Sequence, residues 1–255
     1  MERKQFFRTM GLAGLALTGV KVLNACSSDD GSITAATDSS TGSGSSSSGG
    51  GSSSSGSCTV SPTETAGPFP TKNPSTLVSN DITSDRTGVA LDITITVKNV
   101  NNSCNVLADA IVDIWHCDKD GNYSEYGGTQ MQSTNYTSVH FLRGRQTTDS
   151  NGQVAFTSIF PGWYSGRATH IHVHIYNSAG TSLLITQIAF PEGTNSAVVQ
   201  VNAATAYGYT KGMSGYTYNA SDNVFSDDTT GSEIATLTGS VSNGFELTHT
   251  INVSA

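Results

Sequence analysis

From Ala90 to Lys98 the chain reads Ala-Leu-Asp-Ile-Thr-Ile-Thr-Val-Lys, with apolar residues at the odd positions from Leu91 and polar ones at the even positions from Asp92. A period of two sends successive side chains to opposite faces, so this stretch predicts a half-buried β-strand. Similar runs recur at Ala110 to Cys117, Gln153 to Ile159, Thr169 to Tyr176, Leu183 to Phe190 and Phe245 to Val253. Between them stand Asp118-Lys119-Asp120-Gly121-Asn122, Asp149-Ser150-Asn151-Gly152, Pro161-Gly162 and Asn177-Ser178-Ala179-Gly180, all of them turn chemistry. No segment sustains a helical period. Residues 203–236, rich in Gly, Tyr, Ser, Thr and Asp, read as long loops with room for a short helix. The expected fold is all-β, a β-sandwich of mostly antiparallel strands with long loops.

N-terminal of Cys58 the pattern stops. Of the 31 residues from Ser27 to Ser57, 22 are Ser or Gly, too little apolar surface to offset the entropy of ordering the chain. This is the composition of a linker, and residues 58–255 are left as one domain large enough for a substantial core. Before the linker, residues 1–25 show a basic start (Arg3, Lys4, Arg8), an apolar stretch from Met10 to Val20 and a small-residue end, the order of a signal peptide and too short an apolar run to span a bilayer. Leu23-Asn24-Ala25-Cys26 resembles a bacterial lipoprotein cleavage box, which implies acylation of Cys26 and a membrane anchor. Arg3-Lys4-Gln5-Phe6-Phe7 resembles a twin-arginine export signal with Lys in place of the second Arg. Asp29-Asp30 resembles the acidic tag of surface-directed lipoproteins. The expected organisation is signal peptide 1–25, lipidated Cys and linker 26–57, and a domain at 58–255 held off a periplasmic or cell-surface membrane by a tether with a reach of about 30 Å.

Charge changes the picture once this front end is set apart. The whole chain has 12 basic and 20 acidic residues, but four of the basic and one of the acidic precede Cys26, so the remainder is 8 − 19 = −11. An acidic body without clustered Lys and Arg excludes nucleic-acid binding, which depends on counterion release. Outside the cytoplasm disulfides form, and three cysteines follow Cys26. Cys58 opens the domain and Cys104 lies in the polar turn Asn101 to Asn105, whereas Cys117 follows Trp115 in a strand-like run. Accessibility favours a Cys58–Cys104 bond and a buried thiol at Cys117.

The chemistry concentrates in Ser165-Gly166-Arg167-Ala168-Thr169-His170-Ile171-His172-Val173-His174-Ile175-Tyr176. On a strand, His170, His172, His174 and Tyr176 share one face, and Ile171, Val173 and Ile175 the other. Imidazole is the commonest protein metal ligand, and neighbours two apart on one face can converge on one ion. His170 and His172 are the candidate pair, and His174 is too far along the strand. Zinc or copper would call for further His, Cys or carboxylate ligands, and Cys117 and Asp113 carry no such spacing.

Trp115-His116-Cys117-Asp118-Lys119-Asp120-Gly121-Asn122-Tyr123-Ser124, Pro161-Gly162-Trp163-Tyr164, Arg167-Ala168-Thr169-His170-Ile171-His172 and Leu184-Ile185-Thr186-Gln187, preceded by Glu64-Thr65-Ala66-Gly67-Pro68-Phe69, together resemble the intradiol ring-cleavage dioxygenases, the family of catechol and protocatechuate dioxygenases. The resemblance runs from about Thr63 to Phe190. It implies a non-haem Fe(III) held by Tyr123, Tyr164, His170 and His172, with Tyr164 and His172 axial, Tyr123 and His170 equatorial, and a solvent hydroxide as fifth ligand. Two tyrosinates and hydroxide match the charge of a hard trivalent ion. Arg167 is implied to stabilise the electron-rich ring, Gln187 to support the ligand shell, and Thr65, Gly67 and Pro68 to flank the pocket mouth.

The implied reaction activates the substrate. A catechol gives up two protons and chelates the iron, the hydroxide and Tyr164 being displaced and able to accept them. Dioxygen then attacks the ring, and both its atoms enter a muconate-type dicarboxylic acid. Two departures stand out: only five residues separate Tyr164 from His170, where soluble relatives carry a longer loop, and the N-terminal helical dimerisation segment of catechol dioxygenases is replaced by signal and linker. Tyr126, Tyr136 and the tyrosines from Tyr207 to Tyr218 offer stacking surfaces for an aromatic ring. The competing readings are a surface lipoprotein that binds a polyphenol, glycan or protein partner without turnover, and a zinc or copper storage protein, against which the tyrosine pair speaks.

Overall fold

A computed structural model describes residues Cys58–Ala255. The expected signal peptide, Cys26 and the Ser/Gly linker lie outside the described residues. The first alternating run forms β1 (Ala90–Asn99), whose Leu91, Ile93, Ile95 and Val97 are all buried. Behind it come β2 (Asn105–Val106), β3 (Ile111–Trp115), β4 (Arg143–Thr147), β5 (Gln153–Ile159), β6 (His170–Tyr176), β7 (Ser182–Ala189), β8 (Thr236–Ser240) and β9 (Gly244–Val253). A short helix α1 (Ala197–Asn202) starts at Ser196, whose hydroxyl accepts from Val199 N–H.

The strands form two sheets. One has β1 at its centre, with β2 and β5 antiparallel along one edge, β9 parallel along the other, and β8 beyond β9. The second is ordered β4-β3-β6-β7 and is antiparallel throughout. Side chains of β1 and β9 share one core with Val112 and Ile114 of β3 and with Ile171, Val173 and Ile175 of β6, so the inner faces of the two sheets pack as a sandwich. The parallel β1–β9 pair joins the domain's first long strand to its last, and Ser61 N–H donates to Asn252 O beside it. Cys58 is bonded to Cys104, with Cα atoms 5.9 Å apart, while Cys117 is a buried free thiol. The bond ties the start of the domain to the turn after β1.

Three strands escape the period-two reading for local reasons. β4 carries two arginines, β2 is two residues long, and β8 has a single apolar side chain, Leu237, followed two residues on by Gly239. In the stretch read as loops, 3₁₀ turns form at Thr205–Tyr207 and Asn219–Ser221, and the only α-helix among the described residues sits just before it. The turn after β4 behaves as its sequence implies. Asp149 Oδ1 accepts from Asn151 and Gln153 N–H, and Gly152, at φ +69°, packs so close to Val97 O that a Cβ would lie 2.7 Å from it.

Candidate metal centre and its pocket

Register brings the site together. Across the second sheet Trp115 of β3 pairs with Arg143 of β4 on one side and His172 of β6 on the other, and His172 in turn pairs with Gln187 of β7. Cross-strand partners point to the same face. One row of side chains thus runs Arg143, Trp115, His172, Gln187 on the face turned away from the sandwich core. The row two residues along contains Arg145, Asp113 and His174. There Arg145 makes two hydrogen bonds to the Asp113 carboxylate, and His174 stacks on Tyr176 and bonds Ser182 Oγ. His174 therefore belongs to a separate polar cluster, and Asp113 is already paired.

Loops cover the first row, which is why every residue from His170 to Val173 is buried instead of every second one. Glu64 N–H donates to Ile185 O and Gln187 Nε2 donates to Thr65 O, laying Glu64 to Phe69 over the sheet. Gly67 (φ +67°) comes so near that a Cβ there would meet His172 Cε1 at 2.9 Å. Trp115 stacks on the same imidazole, with centroids 4.9 Å apart and planes within 3°. His172 Nδ1 is buried without a hydrogen-bond partner, so packing against Trp115 and the Gly67 backbone sets this ring. His170 is oriented differently. Its Nδ1 lies 2.6 Å from Ala168 O, which fixes the proton on Nδ1 and leaves the Nε2 lone pair free.

Tyr123 follows the Asp118 to Asn122 turn, where Asp118 Oδ1 accepts from Asp120 and Asn122 N–H. Gln132 clamps the Tyr123 backbone, accepting its N–H at 2.6 Å and donating to its carbonyl at 2.8 Å. The phenol is wholly buried, and its Oη lies 3.2 Å from His170 Nε2. His170 Nε2 is also 3.2 Å from His172 Nε2. Tyr164 sits in the loop between β5 and β6, its ring 5.8 Å from that of Tyr123 and 5.7 Å from that of His170. It is half-buried and lines a pocket of about 460 Å³ with Thr65, Gly67, Pro68, Arg167 and Asn223.

These donors fit a hard, multiply charged cation. Burial lowers the His170 imidazole to about 3 and holds His172 well below its ordinary value, so both rings are neutral with lone pairs to give. Burial pushes the Tyr123 phenol well above 10, and burial likewise raises Tyr164. Ionised phenols in such a place need a cation in contact. Donor separations near 3.2 Å are what adjacent ligands on one ion at about 2.1 Å would show. No three His, Cys or carboxylate side chains converge as a metal site among the described residues. Beside the two imidazoles stand the Tyr123 hydroxyl and the ring of Tyr164.

Arg167 lines the same pocket. Its Nε donates to both oxygens of Asp222 (3.1 and 2.9 Å) and its Nη2 to Gln187 Oε1 at 2.6 Å. Asp222 is fully buried and also accepts from Ala168 and Val224 N–H. Sequence reasoning had no handle on Asp222, which lies 50 residues beyond His172 in a loop without spacing signature, nor on Gln132 or the stacking role of Trp115. Of the tyrosines offered as stacking surfaces, none lines this pocket. Tyr126 packs on Phe69 and donates to Pro70 O, Tyr209 donates to Phe160 O, and Tyr216 to Glu192.

Residues 67–209, more than half of the chain, match the family model described as dioxygenase. The chain is 29% identical over 142 residues to the chlorocatechol 1,2-dioxygenase of Rhodococcus opacus, covering 48% of this chain and 51% of that protein. Among solved structures it resembles the intradiol ring-cleavage dioxygenase of Tetranychus urticae, with a TM-score of 0.67 and 28% identity over 77% of this chain and 95% of that one. The chain belongs to the intradiol ring-cleavage dioxygenases. The dioxygenase domain of a carbohydrate-binding fusion protein from Streptomyces sp. SirexAA-E shares the fold, with a TM-score of 0.53 and 22% identity over 76% of this chain and 97% of that one. The chain spans about half the length of the curated relative. Within the intradiol family region fall Tyr123, Tyr164, His170, His172, Arg167 and Gln187, whereas Thr65 and Asp222 lie outside it.

Proposed function

We propose that this intradiol family member is an iron-dependent enzyme that opens the ring of a catecholic diol with dioxygen to a muconate-type dicarboxylic acid. The observation that carries the reading is the meeting of Tyr123 Oη, His170 Nε2 and His172 Nε2 at 3.2 Å separations, with Tyr164 beside them at the end of a pocket. Those four residues would hold the ion. Ferric iron, when bound, supplies Lewis acidity toward the diol oxygens and draws charge from the ring, opening it to dioxygen.

The remaining work is done by the chain. Tyr123, buried and clamped by Gln132, has no route to solvent and stays a fixed donor. Tyr164 alone of the four lines the pocket, so its Oη is the atom placed to take a proton from an entering diol. Arg167, held on one side by Asp222 and on the other by Gln187, presents a fixed cation to the electron-rich ring. Trp115, Phe69 and Cys117 pack around Tyr123 and keep water from the donor side of the site. The protein acts outside the cytoplasm as a lipid-anchored enzyme, a reading supported by the signal-like start and the Leu23 to Cys26 box.

Tyrosinate bound to ferric iron absorbs visible light, so the iron-loaded protein should be coloured and should shift its spectrum when catechol is added without oxygen. Admitting oxygen should consume catechol and dioxygen one for one. A colourless iron-loaded protein with a flat spectrum in catechol would refute the reading.

A further inference from the structure

The pocket holds one charged side chain, Arg167, and that charge is already answered. Its Nε faces both oxygens of the buried Asp222, and its Nη2 is capped by Gln187. The other buried arginine near the site, Arg143, is consumed by Ser124, the Phe69 carbonyl and Glu125. No other cation lines the pocket. The acids around it are more numerous. Glu64 adjoins the lining residue Thr65, and its carboxyl is raised by burial and then by Asp227, lowered by Arg167 and raised again by Asp222, which places all four groups in one another's field. Asp227 is exposed and has no cationic partner. Arg167 is thus paired with Asp222, and the carboxyls of Glu64 and Asp227 lie near enough to be felt, so acids outnumber the one cation beside the pocket.

We infer that this pocket selects catechols by charge, accepting neutral or cationic substituents and rejecting carboxylates, with Asp222 and Glu64 as the residues that set the preference. The inference rests on the catechol reading of the same site. It follows from placement. The diol end of a substrate faces Tyr164 and the donors, so any ring substituent lies among Thr65, Pro68, Arg167 and Asn223, where no unpaired donor cation waits for a carboxylate. A substrate carboxylate at Arg167 would add a second anion to a guanidinium already paired with Asp222, which also holds the Ala168 N–H just ahead of His170. Taking Asp222 from Arg167 would leave a fully buried carboxylate short of its partner. Like charge at about 10 Å and an intermediate dielectric disfavours binding by about tenfold, and the acids act together.

The test uses the full-length iron-loaded protein and three probes of similar size: dihydroxyphenylacetate, its methyl ester and dopamine. Calorimetric titration without oxygen gives their affinities, and oxygen uptake gives kcat/KM. The expected result is that the ester and dopamine bind at least about tenfold more tightly than the carboxylate, with the gap narrowing in about 0.5 M salt. The gap should also narrow in Asp222→Asn and in Glu64→Gln. Glu64 is half-exposed, so its variant serves if loss of Asp222 disturbs folding. Equal binding of carboxylate and ester, or a gap unchanged in Glu64→Gln, overturns the inference. Binding in the expected order with no oxygen uptake would instead overturn the catalytic reading and leave charge selection standing, whereas failure of all three diols to bind would sink both.

Discussion

His170 and His172 bring their Nε2 atoms within 3.2 Å of each other although their Cα positions are two apart on one strand, a spacing of about 6.7 Å. The rings achieve this by different means and end nearly perpendicular, at 82°. His170 is turned by its bond to Ala168 O, and His172 is set by Trp115 and the Gly67 backbone. The third histidine of the face, His174, has neither device and is spent on Tyr176 and Ser182. His172→Ala should therefore lose bound iron and its visible band, and lower kcat/KM by more than about a hundredfold. His174→Ala should keep both within about twofold. Metal analysis of the two purified variants decides it, and equal iron loss in both would contradict the assignment.

Gly67 gives a second expectation. At φ +67° an L side chain is strained, and a Cβ would press on His172 Cε1 at 2.9 Å. Gly67→Ala should cost about 1–2 kcal/mol of stability. It should also change the iron–tyrosinate spectrum, because the ring that yields is His172. A destabilised variant with an unaltered spectrum would mean that the backbone, and not the imidazole, had moved.

The Cys58–Cys104 bond closes a loop of 46 residues. On the chain-entropy account that is worth about 4 kcal/mol. Cys58→Ser with Cys104→Ser should lower Tm by roughly 10 °C, at about 2–4 °C per kcal/mol for a domain of this size. Iron content should not change, since the bond lies at the β1 turn while the proposed donors sit on β6 and in the loops that follow β3 and β5. Differential scanning calorimetry together with metal analysis tests both halves.

The strands that carry their pattern on one face were legible in sequence: β1, β5 and β9 alternate buried and exposed positions for much of their length. β6 was legible for a different reason, since its histidines and its Ile-Val-Ile face follow the period of two even though loops bury much of one side and the opposing sheet the other. β4 was not, because Arg143 and Arg145 look like surface residues until Glu125, Ser124 and Asp113 are brought to them by pairings remote in sequence. Of the four proposed iron-binding residues, His170 and His172 were marked by their shared strand face and Tyr123 and Tyr164 by motif resemblance, and the sheet register explains how His172 and Gln187 come to share a row with Trp115. Asp222 was invisible because its role is set by a loop crossing the sheet edge, a contact 55 residues from Arg167 that no local period encodes.

Glu233 supplies a pH dependence whose sign can be worked out. It is buried, both carboxylate oxygens lack partners, and its pKa is pushed up to about 8 by burial and then by Glu64, Asp228, Asp227 and Asp222. The backbone around it is anchored: its carbonyl accepts from Ala189 N–H, and its own N–H donates to Asp228 Oδ2. In the unfolded chain a Glu ionises near 4.5, so between about pH 4.5 and 8 the folded form holds a proton that the unfolded form has released. Stability contributed by the protonated Glu233 is thus fully present below 4.5 and falls as pH rises toward 8. Glu233→Gln keeps the shape without the charge. It should flatten this part of the curve and be more stable than the parent at pH 8 by on the order of 2 kcal/mol, the scale of leaving a buried polar group unsatisfied. Urea unfolding of both proteins at pH 5, 6.5 and 8 checks it. Parallel curves for parent and variant would place the ionisation of Glu233 outside this window.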